Sequence, residues 1–504
     1  MSLARGDAVD VVADVRLTGP GRTDPFGDEL VDVHLGGAHP DGRAILDIAP
    51  ANALPRRGAV LDGAGGWLVP GLWDHHVHTV QWALASRRVE LDGIASAGEA
   101  AARMAASDVG DDGRRVGSGY RDALWSDVPT LELLDAVTGD VPTYLINSDV
   151  HSVWLNSAAL RREGMTAADG ILREEPAFEI SRRLNALDVD LADAAVDEAM
   201  RAAAARGIVG VVDLDMAWNA EAWDRRLARG FDAVRISFGV YASSLQRAIA
   251  AGLQTGDAID PAGLVRMGAF KVITDGSLGT RTAACSHHYP GAASDFGIMT
   301  VPPGELRELM QRATGAGIAC AVHAIGDVAN THALDAFAAT GATGTIEHAQ
   351  LVAHADLPRF GRLGVAASVQ PSHAVDDRDM AEEYWSGQTS VAYPLRELAD
   401  AGTNLLFGSD APVAALDPWA TIAAAVFRTR DDRQAWRPHQ RIDAATALAA
   451  STAGGSDSGS DLAPGDVADL VVLDRDPLAA GSAAAMRGTR VAATLLAGRL
   501  THLA

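Results

Sequence analysis

The sequence predicts an α/β protein: a (β/α)8 TIM-like barrel, a small discontinuous β-sandwich domain drawn from both ends of the chain, and a large insertion after the first barrel strand. Three observations carry that expectation. Eight short apolar runs alternate with alanine-rich stretches through the middle of the chain. Strand-like segments broken by Gly, Pro and Asp occupy both ends. Roughly 130 residues separate the first apolar run of the middle from the second, far more than a strand-to-helix connection needs.

At the N-terminal end, residues 9–17, 29–35, 44–48, 59–62 and 66–69 are short runs rich in Val, Leu and Ile and read as strands. Residues 466–473 and 490–496 repeat the pattern at the other end, with Gly498 turning into 499–502. A Gly/Ser/Asp-rich surface loop at 454–465 precedes them. The two ends are expected to pair as one composite domain, 1–69 with 462–504, which the barrel at 70–461 interrupts. The barrel strands are expected at 72–76, 210–213, 234–239, 268–274, 318–323, 344–347, 366–370 and 405–408, with helices such as 194–205, 305–316 and 395–401 between them. Strand–helix alternation implies a parallel sheet with crossover helices, and eight units favour closure into a barrel. The insertion, 79–205, follows a strand. It therefore stands on the rim where strand C-termini gather, as a lid or pocket wall.

Composition narrows the function. Hydrophobic residues make up 48% and charged residues 21%, enough to bury a sizeable core. A formal net charge of −24 repels phosphate backbones and argues against a nucleic-acid partner. Two cysteines, Cys285 and Cys320, make no disulfide framework and point to a reducing compartment, the cytoplasm. The first ten residues lack the basic and apolar segments of a signal peptide, and no apolar run of about 18 residues suggests a membrane partner.

The strongest local signal is Pro70-Gly71-Leu72-Trp73-Asp74-His75-His76-Val77-His78. Side chains two apart on an extended chain point the same way, so His76 and His78 can meet one metal, while His75 faces the other side. His323, His348 and Asp410 each follow another apolar run. Strand ends converge on one mouth in a barrel, so these residues are expected to join the pair at a metal site. The chain holds 41 arginines and one lysine, Lys271, inside the fourth expected strand. A lysine there is paired, or neutral and able to form a Schiff base, or neutral and able to take up carbon dioxide as a carbamate. The carbamate reading is favoured, because its two oxygens can bridge two cations and arginine cannot replace it.

These residues, in this order, resemble the amidohydrolase superfamily. Further runs are similar to the branch that includes N-substituted formamide deformylases: Asp149-Val150-His151-Ser152-Val153-Trp154-Leu155-Asn156-Ser157, Phe270 through Thr282, Val322-His323-Ala324-Ile325-Gly326-Asp327, and Gly465 through Leu473. The resemblance implies that His76 and His78 bind the more buried metal and that carboxylated Lys271 bridges to a second, held by His323 and His348. Asp410 would complete the first site and handle protons. One or two divalent ions are implied, zinc being the expected metal, and a homodimer is the implied assembly. The expected reaction is hydrolysis of a C–N bond (amide, formamide or cyclic amide) in a small-molecule substrate by metal-activated water. An isomerase or lyase on the same scaffold and a non-catalytic binding barrel are the alternatives. His151, Trp154, Asp275 and Arg281 are candidate substrate contacts, although bracing a loop together is the favoured role for Arg281 and Asp275. Glu347, beside His348, is expected to support the metal ligands and not to act catalytically. Trp73, Trp82, Trp125 and Trp154 suggest an apolar or aromatic pocket.

Overall fold

The computed structural model describes residues 3–18, 26–85, 87–123, 125–185, 189–291, 293–430, 433–458 and 461–504. Positions 459 and 460 of the expected surface loop lie outside them.

Eight parallel strands form the central sheet in sequence order: β1 (Leu72–Val77), β2 (Ile208–Asp213), β3 (Arg235–Val240), β4 (Val265–Ile273), β5 (Cys320–Ala324), β6 (Gly344–His348), β7 (Ala366–Val369) and β8 (Leu405–Phe407). These are the eight apolar runs of the sequence, their ends moved by up to three residues. The ring closes at its C-terminal rim. There Asp410 donates its backbone N–H to the carbonyl of His76 at 2.8 Å, and His78 donates to that of Ala411 at 2.9 Å. Gly408 makes this approach feasible, since a Cβ there would stand 2.7 Å from His76 N and 2.8 Å from its Cβ.

Alternation along the strands gives the barrel two surfaces. Leu72, Val211, Ile236, Phe270, Val322, Ile346 and Phe407 join one large apolar core with the surrounding helices. The residues between them face the barrel interior.

Strands from both chain ends share a second sheet, in which Trp67–Pro70 pairs antiparallel with Leu470–Leu473. This sheet has an apolar core of its own, including Val12, Val33, Leu68, Val472 and Leu495.

After β1 the chain builds a five-stranded sheet in the order Ile171–Arg173, Ser152–Leu155, Thr143–Asn147, Arg115–Tyr120, Val89–Glu90. Ser96, Thr130 and Asn156 cap the helices packed on it, each accepting a backbone N–H of the first turn. The sequence carries the insertion to residue 205, but its last helix, Val189–Ala204, is part of the barrel's outer layer. Ala195, Val196, Met200, Ala203 and Ala204 bury into the barrel core. An alanine-rich amphipathic helix shows which face is apolar and not which core receives it. No helix among the described residues is long and apolar enough to cross a membrane.

Candidate metal centre

The period of two along β4 sends Phe270 and Val272 into the core and turns Lys271 and Ile273 toward a cleft at the C-terminal rim. Val77 packs outward between His76 and His78, which face the cleft. Val322 and Ala324 flank His323 in the same way. His348 ends β6 and Asp410 follows β8, both at positive φ, 74° and 58°. Such a conformation is uncommon outside glycine and is tolerated where the surroundings fix it. His76, His78, Lys271, His323, His348 and Asp410 all line this one cleft, whose empty space, open mouth included, is about 820 Å³.

Asp410 stands at the centre. Its Oδ1 is 3.4 Å from Nε2 of His76 and 3.4 Å from Nε2 of His78. Its Oδ2 is 3.9 Å from His373 Nε2 and 4.0 Å from His348 Nδ1. The donor atoms of His76, His78 and Asp410 lie within 4.8 Å of one another, as do those of His348, His373 and Asp410. A cation with ligand bonds of about 2.0–2.2 Å fits among atoms so spaced.

Neighbouring groups aim the rings. Glu347 Oε2 holds His76 Nδ1 at 2.6 Å and leaves Nε2 toward Asp410. Thr345 donates its hydroxyl to the other Glu347 oxygen. Gln370 Oε1 accepts from His348 Nδ1 at 2.8 Å, leaving that ring's Nε2 free to ligate. Glu347→Gln therefore weakens metal affinity by about 10–100-fold, as measured by competition with a chromogenic chelator. Unchanged affinity would show that Glu347 does not support the site.

Burial sets the charges. It pushes the imidazolium forms of His76, His323 and His348 down, the last two far down, so these rings are neutral, the form that ligates. Burial opposes ionisation of Glu347, but the hydrogen bonds from His76 and Thr345 overcome it and hold the carboxyl below its usual range. Burial likewise opposes ionisation of Asp410, but hydrogen bonding from His78 helps to hold it well below the usual carboxylate range. Lys271 is 2% exposed, and its Nζ has no hydrogen-bond partner. Burial lowers its pKa, against the pull of Glu347 and Asp410. An unpaired buried amine beside neutral imidazoles and a carboxylate is a donor set suited to divalent cations.

The candidate substrate contacts divide. His151 reaches the cleft from the insertion, its Nδ1 2.9 Å from Glu174 Oε2 and its ring centroid 5.6 Å from that of His323. Burial disfavours the charged ring, yet Glu174 outweighs it and pushes the pKa up to about 9. Trp154 does not reach the cleft. It is fully buried in the insertion's core and donates Nε1–H to the carbonyl of Thr130. Asp275 sits behind His323, 3.5 Å from its Nε2, and accepts backbone N–H groups from Ala284, Ile325 and Gly326. Burial pushes this carboxyl up to about 7. Asp275 thus ties down the loops beneath His323 and does not line the cleft. Arg281 is exposed, its guanidinium 5.6 Å from the Tyr384 ring centroid, and is not part of the wall either. Trp73, Trp82 and Trp125 are also absent from it. The apolar wall comes from Val150, Phe178, Met216, Leu278, Met380 and Val413. His75 turns away, its Nε2 2.8 Å from the carbonyl of Thr452.

Sequence reasoning missed His373, Gln350 and Tyr241, all on the cleft wall. Tyr241 directly follows β3, as the recognised histidines follow their strands, and that position was its available signal. His373 lies in the helix Pro371–Asp376, beyond a strand end. Gln350 lies two residues past His348 with no signal of its own.

The profile of the family described as "Amidohydrolase family" matches residues 59–502. The chain is 28% identical over 457 residues to Protein LONG AFTER FAR-RED 3 of Arabidopsis thaliana, covering 81% of this chain and 78% of the relative. It is 27% identical over 400 residues to N-substituted formamide deformylase of Arthrobacter pascens, covering 69% and 71%. A crystal structure of an uncharacterized metal-dependent hydrolase from Pyrococcus horikoshii OT3 superposes with a TM-score of 0.76 at 26% identity, over 93% of this chain and 98% of that one.

Proposed function

The chain belongs to the amidohydrolase family, and from that premise we propose that it hydrolyses a C–N bond in a small amide, with an N-substituted formamide as the leading substrate class. The observation that carries the reading is the Asp410 carboxylate set among His76, His78, His348 and His373 at 3.4–4.0 Å. The similarity to a formamide deformylase supports the choice of bond.

His76, His78 and Asp410 would hold one divalent ion, with His323, His348 and a carboxylated Lys271 available to a second. Zinc suits such nitrogen and oxygen ligands. When bound, the metal supplies Lewis acidity and lowers the pKa of a coordinated water toward ~7. Asp410 takes the proton of the attacking water and returns it to the leaving nitrogen. Glu347 keeps His76 in one tautomer. His151, anchored by Glu174, overhangs the site from the insertion and meets the substrate there. The apolar wall takes the N-substituent and excludes water around it.

Metal analysis coupled to a panel of N-formyl and N-acyl amines tests the proposal. Bound divalent metal and amine release from the N-formyl compounds are expected. A folded, metal-free protein, or one that releases no amine from any member, would overturn it.

A further inference from the structure

Resting on the hydrolase reading above, we propose that His373 donates its Nε2 hydrogen to the oxygen of the carbonyl under attack, and that Gln350 is the positioning residue that fixes this proton.

The two nitrogens of the ring differ. His373 Nδ1 lies 3.3 Å from Gln350 Nε2. An amide nitrogen has only hydrogens to offer, so Nδ1 accepts. A neutral imidazole that accepts at Nδ1 carries its proton at Nε2. Beside the Gln350 amide stands Tyr393, whose one hydroxyl hydrogen goes to Asp377 Oδ2 at 2.9 Å while its oxygen lies 3.3 Å from Gln350 Oε1. The ring lies within 11° of parallel to that of His348, 6.3 Å away between centroids.

His373 Nε2 is buried, has no hydrogen-bond partner and belongs to the cleft wall. Its distance of 3.9 Å from Asp410 Oδ2 is too long for a hydrogen bond. A buried donor left without a partner costs free energy unless a ligand supplies the acceptor. Beside the proton-handling carboxylate, the acceptor that chemistry delivers is the carbonyl oxygen, which gains negative charge as water adds. A donor fixed in advance toward that charge favours the transition state over the bound substrate. The proton remains on Nε2 throughout, so no group changes ionisation in this contact.

The spacing of His348, His373 and Asp410 also suits a cation, and the test separates ligand from donor. His373→Ala and His373→Gln are compared with the wild type in metal content, kcat and KM on the N-formyl amine panel. Long-range ¹H–¹⁵N spectra then identify the His373 tautomer by the signals missing from H373Q. Expected are a kcat lower by about 10²–10³-fold in H373A, KM and metal content unchanged, partial recovery in H373Q, whose amide still donates, and an Nε2–H tautomer in the wild type. An Nδ1–H tautomer, loss of metal from H373A, or unchanged kcat would overturn the inference. If the wild type releases no amine from any compound, the hydrolase reading fails, and the tautomer and metal content alone decide whether His373 is a donor.

Discussion

Asp410→Asn lowers kcat by about 10²–10⁴-fold and leaves KM and bound metal close to wild type. The substitution preserves size, and its remaining oxygen can still face the ions near His76 and His78. It removes only the basic oxygen that takes a proton. The backbone accepts the change, because position 410 has φ 58°, a left-handed conformation that Asn adopts as readily as Asp. Steady-state kinetics beside metal analysis reads the result. Wild-type turnover in the variant would remove Asp410 from proton transfer. A loss of metal as large as the loss of rate would make it a ligand first.

Lys271→Arg and Lys271→Gln both lose nearly all turnover and part of their metal. The reason lies in the unpartnered Nζ. A neutral amine attacks the carbon of carbon dioxide through its lone pair and releases one proton, giving a carbamate anion with two ligating oxygens. A guanidinium stays protonated and a primary amide is not nucleophilic, so neither replacement can follow that course. Gln is included because Arg adds bulk to a closed interior. Protein produced with ¹³C-bicarbonate and metal should show a carbamate carbon resonance that both variants lack. Full activity in either variant, or no such resonance in the wild type, would leave Lys271 as an amine.

The barrel was legible because each strand is a short apolar run of the length a buried parallel strand requires. His76 and His78 were legible because they keep the strand's period of two up to its end. His323, His348 and Asp410 became meaningful only together, once convergence on one rim was assumed. Trp154 misled because all four residues of Ser152–Leu155 are buried. With both faces covered, proximity in sequence to His151 says nothing about which side chain meets the cleft. Arg281 sits at φ 57°, a bend that carries it into solvent and that no local pattern announces. His373 escaped because the helix after Pro371 returns it to the cleft from beyond its strand, a placement set by tertiary packing.

The first and last strands of the barrel meet only through a few contacts at the rim, and His76 and His78 stand on one side of that seam with Asp410 on the other. A cation shared among them would be a clasp across chain segments more than three hundred residues apart. The ordering cost of bringing such distant segments together is then met partly by coordination. Ion occupancy and ring closure become two faces of one equilibrium, since an ion that binds the closed ring alone shifts it by mass action. A chelator would thus act on the shape of the barrel as well as on its chemistry.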